Sequence, residues 1–364
     1  VLDHEEVVIR VGRRSGLPVI LAVHSTVLGP AAGGLRIWHY PDWRDGLTDA
    51  LRLSAGMTLK MAVAGLPSGG GKTVVALPEG TRLGPDRRRA VLQDVADVIA
   101  SLDGTYATGP DVGTGPADMA VIGETTPHVF CRPEESGGSG DSSPHTALGT
   151  IAALRAVSRH LHGTPALDGR RLAVIGLGRV GEHLARLLAA EGAELTVTDI
   201  EPGRRATAEA LGAVWRGPEE ILTEDVDVVV PAALGSLLTR EVVPRLRCKA
   251  VAGPANNQLA TPDVADLMHR HGIVWVPDYV AGAGGVVNAI STELHHAGPG
   301  EARARVLAIA QTVGELLDAA AREGLTPARA AAETARRRLR AAASGACGES
   351  ASLASRGWGH LPRP

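Results

Sequence analysis

Aromatic residues are scarce in this chain, at 2% of 364 positions with a single phenylalanine. Its cores must therefore be packed with Ala, Val, Leu and Ile, and an aromatic side chain found in a pocket is harder to explain as filler. Cysteine is nearly missing too. Cys131, Cys248 and Cys347 are widely spaced, which offers neither a disulfide framework nor a zinc pattern, and no metal is expected. No apolar run approaches the ~20 residues of a membrane span, and the opening Val1 to Glu6 lacks the basic and apolar regions of a signal peptide, so the expectation is a cytoplasmic protein without a membrane partner. An excess of one charge is also lacking. The 37 basic and 40 acidic side chains give a formal charge of −3 and are mixed along most of the sequence, which leaves no footprint for nucleic acid.

What is present suffices for two domains: 364 residues, 44% of them hydrophobic. The stretch from Met57 to Thr73 stands out, because two lysines, Lys60 and Lys72, flank the nearly side-chain-free Gly69-Gly70-Gly71. Lys60 closes a segment of helical period that begins near Asp45, with Leu47, Leu51 and Met57 at core spacing, and Lys72 opens the apolar run Thr73 to Leu77. The glycines predict a turn with positive φ that a ligand approaches closely. Burial and a neighbouring positive charge lower a lysine toward neutrality, the condition for a general base. A glycine turn between two surface lysines is the plainer explanation. A phosphate loop is excluded by spacing, since Leu66 stands where a glycine is needed, and by the β-branched run that follows where a helix should begin.

Taken in order, Glu6–Gly12 and Pro18–His24 predict two strands joined by the hairpin Arg13–Gly16. Leu28–Arg36 reads as a glycine-rich turn ending in an arginine, and Asp86 as the cap of a helix with Val91, Val95, Val98 and Leu102 on one face. The loop Gly109–Met119 contains Asp111, for which a turn role beside Pro110 and Gly113 is also sufficient. Glu134–Pro144 has no large apolar residue and reads as an exposed connection between domains.

Beyond a helix from Thr146 to about His162, Leu172–Leu188 presents strand, glycines, helix. Gly176, Gly178 and Gly181 have the spacing of a dinucleotide fingerprint, and Asp199, 23 residues past Gly176, ends the next strand where an acid binds the ribose hydroxyls of NAD. The acid disfavours NADP, although Arg204 and Arg205 lie close by in sequence. The expected cofactor site comprises Gly176, Gly178, Arg179, Val180, Gly181, Asp199 and Ile200. An α/β alternation follows, with apolar runs Val226–Val230, Ala250–Ala252 and Ile273–Val276, whose trailing loops fall at the ligand-binding edge of an open sheet. Helices are expected from Gly285 to about His295 and from Glu301 to Arg322, with a basic helix end at Arg336–Arg340.

These motifs together resemble the leucine, phenylalanine and valine dehydrogenase branch of the glutamate dehydrogenase superfamily. The resemblance rests on Leu28–Gly34, Met57–Lys60, Pro67–Lys72, Gly109–Val112, Gly176–Gly181, Ala255–Asn257 and Asp278–Val280, in the family's order over most of the chain. It implies an α/β protein of two domains, an N-terminal mixed-sheet catalytic domain and a Rossmann-type dinucleotide-binding domain, with an active-site cleft between them that closes over the substrate. The expected division is 1–140 for substrate binding, catalysis and oligomerisation, 141–300 for NAD, 301–340 for helices returning toward the first domain, and 341–364 for a disordered tail. The implied reaction is reversible NAD-dependent oxidative deamination of an L-amino acid to its 2-oxo acid and ammonia, in a homo-oligomer, dimer or octamer. By motif position Lys60 binds the substrate carboxylate, Lys72 is the base that activates water, and Asp111 exchanges protons at the amino group. Gly33, Gly34, Met57, Gly109, Pro110, Gly282, Val313 and Leu316 fall at substrate positions, and Thr146, Ala232, Ala233 and Asn256 join the cofactor set. The small or apolar pocket positions imply an aliphatic or aromatic substrate, leucine-, valine- or phenylalanine-like, and not glutamate; Gly109-Pro110-Asp111-Val112 leans toward phenylalanine.

The sequence also departs from the family pattern. Gly282 stands where an Asn usually helps hold the substrate carboxylate, which predicts a wider pocket floor and the loss of a charge-assisted hydrogen bond of roughly 1.5–3 kcal/mol. Leu35 replaces a Thr before Arg36, and Pro254 a small residue before Ala255-Asn256-Asn257. The competing expectation is a catalytically silent NAD-binding protein that keeps the fold for regulation or assembly.

Overall fold

The computed structural model describes residues 3–233 and 235–345, which divide into two compact units. The first is built from 3–141, 289–297 and 335–345, the second from 142–288 and 298–334. The expected division drew the second domain as one stretch to 300, whereas 289–297 belongs with the first unit. Of the expected tail, Ala341–Ala343 is helical and 346–364 lies outside the described residues.

In the first unit, β1 (Glu6–Val11), β2 (Pro18–Ser25), β3 (Ala31–His39), β4 (Gly69–Leu77) and β5 (Tyr106–Pro110) form one sheet in the order β1-β2-β4-β3-β5. β1 and β2 are the predicted antiparallel hairpin, β2 runs antiparallel to β4, and β3 lies parallel between β4 and β5. α1 (Trp43–Ala64) covers one face, where Ile20, Ala22, Val74 and Ala50 are buried with Leu47 and Leu51 against them. α2 (Pro85–Ala100) and α3 (Pro116–Gly123) cover the other, closing a core of alternate strand residues such as Val19, Leu21 and Val75 on Val91, Val95, Ile99, Met119 and Ile122.

α1 starts two residues before the expected Asp45, because Asp42 accepts from Arg44 N and Asp45 reaches back to Asp42 N in a capping box. It also runs past Lys60 to Gly65, which caps it in the left-handed conformation at φ 66°. Its last turn contains no basic residue of its own. Arg338 supplies one, donating 2.8 Å hydrogen bonds to the Ala62 and Val63 carbonyls. The α2 cap is Gly84, with Pro85 at the first helical position and Asp86 in the first turn, where its charge suits the helix dipole.

Two glycine-rich readings are corrected by the sheet. Leu28–Arg36 is not a turn: from Ala31 it is β3, a strand with neighbours on both sides. Gly69, Gly70 and Gly71 are not a turn either, since they begin β4 and none has positive φ. They are small because their neighbours are close. A Cβ on Gly69 would lie 1.9 Å from Ser25 O, one on Gly70 2.1 Å from Thr58 N, and one on Gly71 2.5 Å from the Tyr106 ring.

The second unit contains β6 (Arg171–Ile175), β7 (Glu194–Thr198), β8 (Val214–Trp215), β9 (Asp225–Pro231), β10 (Arg247–Val251) and β11 (Val274–Trp275) in one parallel sheet, order β11-β10-β9-β6-β7-β8. Its helices are α4 (Ser143–His162), α5 (Arg179–Ala190), α6 (Arg205–Ala210), α7 (Val264–Arg270), α8 (Asp278–Ala281), α9 (Gly284–Ala289), α10 (Pro299–Leu307), α11 (Ile309–Glu323) and the start of α12 (Pro327–Ala343). This is the doubly wound order in which ligands bind where the winding reverses, beyond the carboxyl ends of β6 and β9. The single helix expected from Glu301 to Arg322 is two, broken at Ala308. After α9 the chain widens into a π-helical turn, Ile290–Leu294, which belongs to the first unit. There Glu293 accepts from Cys131 N, Ser139 N and Ser139 Oγ at 2.5–2.9 Å, so the connection expected to be exposed is fastened at Ser139. No helix among the described residues is long and apolar enough to cross a membrane.

Candidate active site

The centre of the first unit's site is Lys72 on β4. Its side chain is 6% exposed and donates to Asp111 Oδ2 at 2.6 Å. Burial is the chief reason that its ammonium is pushed below the ordinary lysine value. The Asp111 charge opposes that shift and the Arg36 charge adds to it. Burial by itself would raise Asp111, but Lys72 and Arg36 outweigh it and hold the carboxyl below its usual range. Besides the second lysine that the sequence suggested, the structure sets Arg36 on the Lys72–Asp111 pair as a cation that depresses Lys72. A buried lysine with a destabilised ammonium beside an ionised carboxylate has the properties of a proton acceptor with a proton relay next to it.

Asp111 follows β5, and its turn is not maintained by its own carboxylate. Thr114 performs that task, with its hydroxyl accepting from Asp111 N at 2.9 Å and donating to Leu35 O at 2.8 Å. The carboxylate is therefore free to reach across to β4 and β3. Gly34, beside Gly109 in the β3–β5 pairing, leaves bare backbone next to the couple, because a Cβ there would lie 2.8 Å from Asp111 Cβ and 3.2 Å from Lys72 Nζ. Gly33 and Gly109 are filled spaces: a Cβ would lie 1.8 Å from Gly71 O and 2.2 Å from the Phe130 ring, respectively. Pro110 ends β5. α1 reaches β4 where Thr58 meets Gly70, and it carries Met57 and Lys60, both half-buried.

Sequence reasoning missed the group behind this pair. Arg36 donates from Nε to Asp111 Oδ2 at 3.0 Å and from Nη1 to Asp49 Oδ2 at 2.7 Å. Tyr40 donates to the same Asp49 oxygen at 2.8 Å, and Arg52 to the other at 2.6 Å. Arg36 closing a glycine-rich stretch was the available signal.

Gly282, Val313 and Leu316 belong to the second unit. Val313 and Leu316 are buried on α11, which packs on α4. Gly282 gives no wider floor: a Cβ there would lie 2.9 Å from Pro254 O and 3.0 Å from Asp278 O, so backbone already occupies the space that an Asn would enter.

In the second unit the fingerprint residues converge at the reversal point. Gly176 has φ 104° and faces Ala232–Ala233, with a Cβ there 2.8 Å from Ala233 N. Gly181 permits α5 to approach, since its Cβ would lie 2.0 Å from Gly176 O. Gly178 caps α5, and a Cβ on it would meet nothing within 4 Å, which leaves open space before the amides of Arg179 and Val180. Asp199 lies against the loop, accepting from Leu177 N at 2.6 Å and from Glu201 N at 2.8 Å, with lone pairs to spare. Arg204 is engaged by Glu182 and Glu201, and Arg205 by Glu209. Ile200 is 93% exposed and Asn256 is exposed on the loop after β10. Thr146 spends its hydroxyl on Ser142 O at 3.0 Å in the first turn of α4.

Comparison with known proteins is consistent along the chain. Residues 5–128 match the family model described as Glu/Leu/Phe/Val dehydrogenase, dimerisation domain, and 204–343 match Glutamate/Leucine/Phenylalanine/Valine dehydrogenase. Residues 151–251 match the NAD binding domain of D-isomer specific 2-hydroxyacid dehydrogenases. A leucine dehydrogenase of Bacillus cereus is 40% identical over 93% of this chain and 91% of its own length. A valine dehydrogenase of Streptomyces albus is 40% identical over 92% of each. Among solved structures, L-tryptophan dehydrogenase from Nostoc punctiforme superposes with a TM-score of 0.83 at 33% identity, covering 94% of this chain and 98% of that one.

Proposed function

The chain belongs to the Glu/Leu/Phe/Val dehydrogenase family, and from that premise we propose that it catalyses the reversible NAD-dependent oxidative deamination of an aliphatic L-amino acid, leucine- or valine-like, to the 2-oxo acid and ammonia. The observation that carries the reading is the buried Lys72–Asp111 contact of 2.6 Å, with the lysine pushed toward its neutral form and the carboxyl toward its ionised form. The names of the relatives favour an aliphatic side chain over the phenylalanine-like lean of Gly109–Val112.

NAD, when bound, would supply the hydride acceptor for oxidation of the substrate Cα. Gly176, Gly178 and Gly181, the amides of Arg179 and Val180, and Asp199 are the groups suited to hold it, the first five for the pyrophosphate and the acid for the ribose hydroxyls. Asp199 at the ribose position and the pairing of Arg204 and Arg205 with acids both support NAD over NADP. The oxidised substrate is an iminium. Lys72 as the free amine takes a proton from the water that adds to it, and Asp111 moves a proton to the departing nitrogen, which leaves as ammonia. Lys60, as the ammonium, binds the substrate carboxylate. In total the amino-acid zwitterion, NAD in its oxidised form and water give the oxo acid anion, ammonium, NADH and a proton.

The match to a dimerisation-domain model supports a homo-oligomer, dimer or octamer, which light scattering on the purified protein distinguishes. The activity is tested by NADH formation at alkaline pH with a panel of L-amino acids. Leucine or valine should lead the panel. Absence of turnover with every amino acid, together with clear NADH binding, would favour the silent NAD-binding alternative.

A further inference from the structure

Lys72 and Arg36 donate to one and the same atom, Asp111 Oδ2, at 2.6 and 3.0 Å. Two cations on a single oxygen compete for it, so each reduces what the carboxylate offers the other. Arg36 is in turn held by a second carboxylate: its Nη1 meets Asp49 Oδ2 at 2.7 Å, and Tyr40 and Arg52 fix Asp49 in place. A guanidinium cannot give up its proton, and its rigid fork spans two acids as a lysine's single ammonium does not.

We propose that Arg36 is a positioning residue for the catalytic couple, drawing Asp111 Oδ2 away from Lys72 by an amount that its own attachment to Asp49 sets. The inference rests on the reading of Lys72 as the base. With Arg36 in place, part of the Asp111 charge is spent on the guanidinium, and Lys72 parts with its proton more readily. Asp49 acts in the opposite sense, because it both anchors Arg36 and adds a negative charge that favours the Lys72 ammonium. The other ionisable groups on elements packed around β4 are His24 on β2, His39 at the far end of β3, Arg44, Asp45 and Lys60 on α1, and Tyr106 on β5. Burial drives His24 toward its neutral form and pushes the Tyr106 phenol up to about 12, so neither changes charge with Lys72 across the alkaline range. Lys60 is common to all variants compared.

The two partners of the network thus predict shifts of opposite sign. Arg36→Gln should move the rising limb of kcat/KM for deamination to higher pH by about one unit or more, a roughly tenfold loss at neutral pH that alkaline pH restores. Asp49→Asn should move the limb to lower pH. Arg36→Lys keeps the charge without the fork and should recover only part of the shift, its limb lying between those of the wild type and Arg36→Gln. A purely structural role would lower rates evenly at all pH values. An activity-independent measurement accompanies these: reductive methylation of Lys72 by formaldehyde and cyanoborohydride, which requires the neutral amine, followed by peptide mass spectrometry across pH. Shifts of the same sign in both variants, or no shift in either measurement, overturn the proposal. If Arg36→Gln does not fold, Arg36→Lys and Asp49→Asn still decide it. If the wild type oxidises no amino acid while the methylation profiles separate as stated, the functional reading fails and the network stands. Turnover with coincident profiles overturns the network and leaves the functional reading in place.

Discussion

Pro254 and Gly282 touch: a Cβ on Gly282 would lie 2.9 Å from the Pro254 carbonyl oxygen and 3.3 Å from its Cα. The sequence reading takes both positions as departures from the family pattern, and the contact joins them. Proline fixes the backbone that delivers the carbonyl, and glycine is the residue that tolerates it. Gly282→Asn should therefore destabilise the protein by about 1–3 kcal/mol, the usual cost of overpacking. Adding Pro254→Gly, which lets the loop relax, should recover part of that loss. Thermal unfolding of the two single variants and the double variant measures the coupling, and strictly additive changes would show that the sites are independent.

Lys72 and Lys60 should separate in kinetics. Lys72→Ala is expected to bind NAD as the wild type does, because the glycine loop and Asp199 belong to the other unit, while kcat falls by about 10²–10⁴. Lys60→Ala should chiefly raise KM for the amino acid. In the wild type the base is competent only when deprotonated, so kcat/KM should rise with pH through an apparent value below the ~10.4 of a free lysine. A pH profile and kcat that survive Lys72→Ala would remove that residue from the mechanism.

Asp199 accepts from Leu177 N inside the glycine loop, and in the proposed function it also holds the ribose hydroxyls. Asp199→Ala should weaken NAD binding by about tenfold or more, the equivalent of losing hydrogen bonds to a charged acceptor, and should weaken NADP binding less. Fluorescence titration with NADH and NADPH gives the ratio. An unchanged ratio would mean that the acid does not discriminate between the dinucleotides.

Asp94 on α2 fastens the β1–β2 hairpin. Its carboxylate is 3% exposed and accepts from the Arg14 and Ser15 amides and the Arg14 guanidinium at 2.9–3.2 Å. Burial would raise its pKa, but the hydrogen bonds from Ser15 and Arg14 prevail and hold it below the usual carboxylate range. A depressed folded value means stability that is fully present above the unfolded ~3.9 and is lost as pH falls through the folded value. Asp94→Ala should cost roughly 1.5–3 kcal/mol at neutral pH, with the difference from wild type shrinking in acid. Denaturant unfolding at pH 7 and pH 3 tests both statements, and a difference that grows in acid would refute the assignment.

The legible parts of this chain were the local ones. The β6–glycine–α5–Asp199 unit is recognisable because strand, tight turn, helix and acid follow one another at fixed spacing, and the structure joins Leu177 N to Asp199 directly. β3 was not legible, since Ala31-Ala32-Gly33-Gly34 has neither alternation nor β-branched residues; small side chains there answer to Gly71 O across the sheet. The same blindness affected Gly69–Gly71, where glycine reports a crowded strand and not a left-handed turn. Lys72 and Asp111 could be singled out one at a time. The attachment of Arg36 to both Asp111 and Asp49 could not, because it links β3, α1 and the loop after β5, and side chains from separate elements leave no periodic trace in a sequence.

The Arg338 cap on α1 gives the order of synthesis a meaning. The helix that carries Lys60 is completed by a guanidinium 276 residues downstream of Ala62. At ~5–20 residues per second, the end of α1 waits roughly 14–55 s on the ribosome before that arginine emerges. During this interval the Val63 carbonyl is left to water, and the Ala62 carbonyl keeps only its bond from Gly65 N. A chain released early, before Arg338, would contain every lysine and carboxylate of the site, yet the helix end beneath Lys60 would be left to fray.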